Sequence, residues 1–170
     1  PTNVLTRDER VAGMHVLVAE DNAINREVVA GMLELLGCTF ELAHDGQQAC
    51  AALFEDDREG DDHRSFDVVL MDCQMPEMDG FDATREVRRR EGERGRERRP
   101  IIALTANGLS GDRERCLEAG MDDFLSKPFL CEDLVATLAR WRKTPSASAT
   151  PIEVAPPSPT VAHPSNEVLD

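Results

Sequence analysis

The sequence predicts an α/β fold with a doubly wound, five-stranded parallel sheet and five helices. Two observations lead to this prediction. Short apolar runs alternate along the chain with stretches whose apolar residues recur at helical spacing, as in parallel sheets covered by helices on both faces. Hydrophobic residues make up 41% of the 170 residues and aromatic residues only 4%, so the core would consist mainly of aliphatic side chains.

Five short segments are candidate strands, and the first is apolar enough for a strand that is buried on both faces. The first of them reads HVLVA and stands at residues 15–19. The stretch between successive runs is long enough for one helix, which a connection between parallel strands requires. The predicted strands are residues 15–19, 38–43, 66–71, 100–105 and 122–126.

A helical pattern follows each predicted strand. Apolar residues repeat at helical spacing from Ile24 to Leu36, and Gly37 then provides a stop signal. Asp45 and Gln48 have the spacing of a capping box at the start of the second helix. The five predicted helices are residues 24–36, 45–54, 81–87, 109–119 and 134–141.

Composition divides the chain into one domain and two flanking segments. Residues 14–142 carry the strand and helix patterns and form a predicted domain of ordinary size. Residues 143–170 are rich in Pro, Ser and Ala and cannot bury enough apolar area to offset their conformational entropy, which predicts a disordered linker. Residues 1–13 are predicted to form a shorter N-terminal linker. The chain begins with Pro1 rather than Met, which indicates a piece of a longer protein.

Charge and cysteine content exclude several classes of partner and site. The formal charge of −14 argues against nucleic acid or an anionic membrane as the partner of this segment. The five cysteines are odd in number and contain no C-x-x-C pair, which indicates reduced thiols rather than disulfides or a zinc site. No apolar run has the length of a membrane helix. We therefore expect a cytoplasmic location, with a membrane anchor left open for a longer parent chain.

Polar side chains follow four of the predicted strands: Glu20 and Asp21, then Asp72, Thr105 and Lys127. Ligands of open parallel sheets bind beyond the carboxyl ends of the strands, so these residues form a candidate site. Three carboxylates in one cleft would repel each other, and a divalent cation removes that repulsion. Ligands that are all oxygen favour Mg²⁺ over Zn²⁺. Taken singly, each residue also has a plainer role, such as a helix cap or a solvated charge.

Four separated segments resemble a known family. They read VLVAEDNAINREVVAGMLELLG, DVVLMDCQMPEMDGFDATREVR, PIIALTAN and AGMDDFLSKPF. In this order and spacing they resemble the receiver domain of two-component response regulators, and they are most similar to receivers carried by hybrid sensor histidine kinases. The resemblance covers residues 14–142 and implies a flavodoxin-like fold with strand order 2-1-3-4-5.

The resemblance implies a phosphorylation site at the carboxyl edge of the sheet. It identifies Asp72 as the phosphoacceptor and Lys127 as the lysine that pairs with the phosphoryl group. Glu20 and Asp21 match the acidic pair that binds Mg²⁺, with Asp21 a direct ligand and Glu20 acting mostly through water. Asp72 itself and the backbone carbonyl of Gln74 match the remaining protein ligands. Mn²⁺ is a second candidate for this ion.

The resemblance also identifies residues that respond to phosphorylation or control its lifetime. Thr105 matches the switch hydroxyl that bonds the phosphoryl group, and Phe124 matches an aromatic switch position where many members carry Tyr. Gln74 and Asn107 flank the expected phosphoryl site, and we expect them to set the lifetime of the acyl phosphate. The Lys127–Pro128 peptide bond is expected to be cis.

These roles predict a receiver that takes a phosphoryl group from a phosphohistidine onto Asp72, in a Mg²⁺-dependent phosphorelay that belongs to a hybrid sensor histidine kinase. The expected partners are the phosphohistidine domain of a histidine kinase, a histidine phosphotransfer (HPt) domain, or both. A stand-alone single-domain response regulator and a degenerate receiver that only docks stay open as alternatives. The domain would catalyse its own phosphorylation and dephosphorylation. No ATP-binding kinase core is visible in the sequence, although a longer parent chain would be a histidine kinase.

Overall fold

The computed structural model describes residues 7–54, 66–106 and 110–142, without the side chains of residues 110–112. Strands and helices alternate along the described chain, which confirms the five predicted strand–helix units. In chain order the elements are β1 (His15–Ala19), α1 (Ala23–Leu36), β2 (Thr39–Ala43), α2 (Gly46–Phe54), β3 (Val68–Asp72), α3 (Gly80–Arg94), β4 (Ile101–Thr105), α4 (Ser110–Ala119), β5 (Asp123–Ser126) and α5 (Cys131–Trp141).

The five strands form one parallel sheet in the order β2-β1-β3-β4-β5. This order confirms the predicted flavodoxin-like topology. β3 lies in the middle of the sheet, and all five of its residues are buried. Because β1 and β3 are neighbours and run in the same direction, the residues that follow them meet at the carboxyl edge of the sheet.

The core consists of two layers, one on each face of the sheet, because successive side chains of a strand point to opposite faces. Leu17 and Val69 belong to the layer that also contains buried residues of α2, α3 and α4. Val16 and Val68 belong to the layer that contains buried residues of α1 and α5. This arrangement fixes the strand ends rigidly, since both faces of the central strands are covered.

The third strand is shifted from its predicted position at residues 66–71. Phe66 packs in the core and stacks on the His15 ring, with 4.7 Å between the ring centroids. Asp67 accepts a hydrogen bond from the His15 backbone N–H at 2.7 Å, so its side chain holds the start of the neighbouring strand. At its other end, the pairing of β3 with β4 extends to Asp72, which lies in register with Leu104 of β4. Asp72 is therefore the last residue of the strand rather than the first residue beyond it.

The packed part of the protein includes residues that the sequence assigned to the N-terminal linker. Val11 is fully buried, and Cys38 donates its thiol hydrogen to the Val11 carbonyl at 3.3 Å. Arg142, at the end of α5, donates to the carbonyl oxygens of Glu9 and Arg10 at 3.0 and 2.9 Å. The predicted linker of residues 143–170 and the first six residues of the chain lie outside the described residues.

Candidate functional site

Four strand ends bring predicted site residues to one edge of the sheet. Glu20 follows β1, Asp72 ends β3, Thr105 ends β4 and Lys127 follows β5. Glu20, Asp72 and Thr105 are buried despite their polar side chains. Buried polar groups need hydrogen-bond partners, so the chemistry of this edge depends on what these groups bind.

Lys127 joins two of the carboxylates. Its ammonium group donates to Glu20 Oε2 at 2.5 Å and to Asp72 Oδ2 at 3.0 Å. Burial opposes the charge of Lys127, but the hydrogen bonds to Glu20 and Asp72 outweigh it and raise the pKa of this lysine above its usual value. Lys127 is therefore protonated at physiological pH and supplies a fixed positive charge beside Asp72.

Glu20, Asp21 and Asp72 form an acidic cluster that can hold a metal ion. One carboxylate oxygen from each residue lies within 4.8 Å of the other two. Three carboxylates against the ammonium of Lys127 leave an excess of negative charge, which a divalent cation would offset. All donors of the cluster are oxygen atoms, which suits a hard cation. Glu20 is only 1% exposed whereas Asp21 is exposed, so an ion would enter from the Asp21 side.

The loop between β3 and α3 orients the carboxylate of Asp72. The Gln74 backbone N–H donates to Asp72 Oδ1 at 3.1 Å, while Oδ2 faces Lys127. The loop then folds back, and the Gly80 N–H donates to the Cys73 carbonyl at 3.1 Å. Gly80 lies so close to β3 that a Cβ atom there would stand 2.1 Å from the carbonyl oxygen of Asp72. The turn that follows Asp72 thus requires a residue without a side chain.

Thr105 carries a buried hydroxyl that can still accept or donate a hydrogen bond. Its Oγ1 has no hydrogen-bond partner among the described residues. Leaving a buried hydroxyl unsatisfied costs about 1–3 kcal/mol, so native structures rarely do so away from binding sites. The backbone carbonyl of Thr105 accepts from the Lys127 N–H at 2.7 Å, which ties the two strand ends together. An acceptor that binds between them would satisfy the hydroxyl.

Arg26 takes part in the site although the sequence did not identify it. This residue lies on α1, and its guanidinium donates to the backbone carbonyls of Glu20 and Asp21 at 2.8 and 2.7 Å. These charged hydrogen bonds fix the backbone that carries the acidic pair. The sequence contains no signal for this contact, because an arginine in the first turn of an amphipathic helix is ordinarily solvated.

A cavity of about 610 Å³ opens beside the acidic cluster, and Asp21, Gln74 and Arg115 line it. The Arg115 guanidinium comes from α4 and lies 4.5 Å from the centroid of the Phe81 ring. Arg115 was also missed in the sequence, because its distance to the site depends on how α4 packs. The cavity gives a small anion or a partner side chain access to the cluster.

The structure describes most of the remaining predicted residues. Phe124 is half-buried against the core, and its ring centroid lies 5.7 Å from the Arg113 guanidinium carbon. The Lys127–Pro128 peptide bond is cis, as predicted. Asn107 lies outside the described residues, so its role stays a prediction. Gln74 has an exposed side chain beside the cavity, and its predicted role also stays a prediction.

Comparison with known proteins identifies the family of this chain. A family model described as the response regulator receiver domain matches residues 16–139. The chain belongs to this family. The match begins in β1 and ends in α5, so it spans the complete sheet, the acidic cluster and Lys127.

This receiver domain is similar to those of hybrid histidine kinases. Histidine kinase 1 of Arabidopsis thaliana is 38% identical over 164 residues, which cover 81% of this chain but only 13% of that protein. The receiver domain of a Pseudomonas aeruginosa sensor histidine kinase, solved with a magnesium ion in its active site cleft, is 46% identical. That match has a TM-score of 0.64 and covers 76% of this chain and 98% of the other.

A further solved relative is a receiver in a complex. It is the receiver domain of a Saccharomyces cerevisiae response regulator, crystallised with a histidine phosphotransfer protein. It is 27% identical, with a TM-score of 0.69, over 77% of this chain and 90% of that chain.

Within the described residues of the present chain, no helix combines the length and the apolar character needed to cross a membrane.

Proposed function

We propose that this receiver accepts a phosphoryl group from a phosphohistidine onto Asp72, as one step of a phosphorelay. The observation that carries the proposal is the position of Asp72 between the Lys127 ammonium, at 3.0 Å, and the acidic partners Glu20 and Asp21. Catalysis of phosphoryl transfer rests on positioning and on stabilising the charge of the transferred group. Asp72 is held beside a fixed cation, and its neighbours Asp21 and Gln74 line an accessible cavity, so the site provides both positioning and charge stabilisation.

The reaction makes one bond and breaks one. An Asp72 carboxylate oxygen attacks the phosphorus of the phosphohistidine, the phosphorus–nitrogen bond breaks, and the imidazole leaves with its electron pair. Lys127 neutralises one phosphoryl oxygen, and the unsatisfied hydroxyl of Thr105 donates to another. The acyl phosphate on Asp72 is later hydrolysed by water.

The ion of the acidic cluster is proposed to be Mg²⁺, with Mn²⁺ as a second candidate. Glu20, Asp21, Asp72 and the backbone carbonyl of Gln74 would hold it, with Glu20 acting mostly through water. Bound Mg²⁺ supplies positive charge to the phosphoryl oxygens during transfer. Arg26 prepares the acidic pair by holding the carbonyls of Glu20 and Asp21 in place.

Phosphorylation is proposed to change the face formed by α4 and β5. A phosphoryl group on Asp72 would draw the Thr105 hydroxyl towards it, because that hydroxyl has no other described partner. The space left by Thr105 allows the half-buried ring of Phe124 to turn inwards. Gln74 and Asn107 are proposed to control how readily water reaches the acyl phosphate.

The parent chain is proposed to be a hybrid sensor histidine kinase, with the histidine of its kinase part or of an HPt domain as the phosphoryl donor. The similarity to receivers of such kinases supports this, although the present chain spans only a small part of the full-length kinases. All five cysteines are thiols, which supports a reducing, cytoplasmic location. A stand-alone response regulator and a docking-only receiver are the alternatives.

A groove beside the site supports docking of a helical donor domain. A cavity of about 380 Å³ lies between α1 and the segment that leads from β5 to α5, and Val28 and Met32 line it together with Glu20 and Lys127. Val28 is 51% exposed in spite of its apolar side chain. A partner that fills this groove would bring its histidine to the edge that carries Asp72.

Substitution of Val28 with aspartate tests this docking surface. We expect V28D to slow phosphoryl transfer from a phosphorylated HPt protein about 5–150-fold, because one buried charge or lost apolar contact costs ~1–3 kcal/mol. Phosphorylation by acetyl phosphate should stay unchanged, since that donor does not use the groove. Leu35, also on α1 and 47% exposed but absent from the groove lining, provides the matched control L35D. Equal rates for V28D and L35D would place the docking surface elsewhere.

Intact mass measurement tests the proposed function itself. The full chain is incubated with acetyl phosphate and Mg²⁺, and we expect one phosphoryl adduct that disappears in Asp72→Asn and when Mg²⁺ is chelated. The amide of that variant keeps the size of the side chain but is no nucleophile. An unphosphorylated wild-type chain that demonstrably binds Mg²⁺ would instead favour the docking-only receiver.

A further inference from the structure

We propose that Cys73 and Cys116 are a redox-active pair, which peroxide converts into an intramolecular disulfide. Their Sγ atoms lie 3.9 Å apart although 43 positions separate them in the chain. Cys73 is 6% exposed and Cys116 is 2% exposed, so both sulfurs are held in the packed interior. The bridge is independent of the phosphorylation proposed for Asp72.

The pair joins two parts of the fold that the backbone does not connect directly. Cys73 is the first residue of the loop after β3, immediately beyond Asp72, and Cys116 lies on α4. A disulfide bond is about 2.05 Å long, so the sulfurs must approach each other by about 2 Å. Side-chain rotation about the Cα–Cβ bonds moves a cysteine sulfur over distances of this order.

The cavity beside the acidic cluster gives an oxidant access to Cys73. This residue lines the cavity of about 610 Å³, together with Asp21, Gln74 and Arg115. A molecule as small as hydrogen peroxide enters a space of this size. Cys116 is not among the residues that line the cavity, so it would react second, as the thiol that resolves the oxidised Cys73.

The other three cysteines, Cys38, Cys50 and Cys131, have surroundings of their own. Cys38 and Cys50 direct their sulfurs at backbone carbonyls, those of Val11 at 3.3 Å and Ala83 at 3.6 Å. Burial raises the pKa of the Cys38 thiol to about 11, and it also raises the pKa values of Cys50 and Cys131. A disulfide needs a second thiol within reach, so the 3.9 Å separation of the sulfurs is what singles out Cys73 and Cys116.

The chemistry needs only a peroxide as co-reactant. The Cys73 sulfur attacks one peroxide oxygen, the O–O bond breaks, and the products are a Cys73 sulfenic acid and one water. The Cys116 sulfur then attacks the Cys73 sulfur, the S–O bond breaks, and a second water leaves. The protein loses two protons and two electrons, and the peroxide is reduced to two waters. An added dithiol reverses the bridge by exchange.

The test uses the full chain, first reduced and then exposed to hydrogen peroxide, followed by denaturation and alkylation with N-ethylmaleimide. We expect the intact mass to show three alkyl groups, because two of the five thiols are consumed. Peptide mapping should find one linked pair that contains Cys73 and Cys116. Treatment with dithiothreitol before alkylation should restore five alkyl groups.

Two variants test whether the bridge depends on Cys116 or forms with any buried cysteine. Cys116→Ser should abolish the bridge and leave a Cys73 sulfenic acid that dimedone traps. Cys50→Ser replaces an equally buried cysteine outside the pair and should leave the bridge intact. Five alkyl groups on wild-type protein, at a peroxide dose that already oxidises methionines, would overturn the proposal. A bridge that involves any other cysteine or a second chain would overturn it as well.

Discussion

Replacing Lys127 with methionine is expected to slow phosphorylation by acetyl phosphate about 10²–10³-fold. Effects of this size are usual when one preorganised group that stabilises charge in the transition state is removed. Methionine keeps the length and apolar stem of the side chain but removes the ammonium that lies 3.0 Å from Asp72. The initial rate of adduct formation, followed by intact mass at saturating Mg²⁺, measures the effect.

The Mg²⁺ affinity of the Lys127→Met variant shows whether its slower phosphorylation comes from the lost ammonium or from damage to the acidic cluster. Lys127 neutralises part of the charge of Glu20 and Asp72, so its removal should tighten Mg²⁺ binding or leave it unchanged in a calorimetric titration. Lys127→Arg keeps the charge and should recover part of the rate. The single tryptophan, Trp141, reports by its fluorescence whether each variant is folded. A rate within about twofold of wild type for the methionine variant would remove Lys127 from the mechanism.

Replacing Gly80 with alanine is expected to destabilise the fold by about 3 kcal/mol or more, at the upper end of costs for overpacking. The added Cβ would stand 2.1 Å from the Asp72 carbonyl oxygen and 3.0 Å from the Cys73 Cα atom. Both neighbours are backbone atoms, so the strand end that carries Asp72 must move. Urea unfolding followed by Trp141 fluorescence measures the loss, and adduct formation on Asp72 should fall in parallel.

Gly92→Ala provides a matched control on the same helix, because a Cβ at Gly92 meets nothing within 4 Å. Gly92 lies inside α3 and is exposed, so alanine there should stabilise the protein by up to about 1 kcal/mol through helix propensity. The two substitutions are therefore expected to have opposite signs. Equal changes in the free energy of unfolding for Gly80→Ala and Gly92→Ala would contradict the explanation that Gly80 is required for close packing against Asp72.

Periodicity in the sequence predicted a five-stranded parallel sheet, its helices and the edge that carries the site, whereas the strand order came from the family resemblance. Apolar runs and helical spacing are local properties of the chain, and the core layers follow them closely. Boundaries were harder to predict, because long-range hydrogen bonds decide them. Asp67 was predicted to lie in the third strand, but its carboxylate instead accepts a hydrogen bond from the His15 N–H. The pairing of β3 with β4 extends to Asp72 at the other end of the strand.

The parts of the site that the sequence did not reveal depend on tertiary packing. Arg26 donates hydrogen bonds to the backbone carbonyls of Glu20 and Asp21. Every residue has a backbone carbonyl, so the types of these residues do not indicate such a contact. The close approach of Gly80 to the backbone of Asp72 is also set by tertiary packing, and no local pattern in the sequence indicates it. The Cys73–Cys116 contact joins residues 43 positions apart, on a loop and a helix whose packing no local pattern specifies. Sequence patterns locate such a site, and the fold determines its supporting contacts.

Reductive trapping of the acyl phosphate tests the central claim most directly. The full chain is phosphorylated with acetyl phosphate and Mg²⁺, treated with borohydride, digested and sequenced by mass spectrometry. Borohydride reduces an acyl phosphate to an alcohol but leaves free carboxylates intact, so a phosphorylated aspartate becomes homoserine. We predict homoserine at position 72, with Glu20 and Asp21 unchanged. Homoserine at another position, or an intact Asp72 in a sample that carries the phosphoryl adduct, would contradict the assignment of Asp72 as the phosphoacceptor.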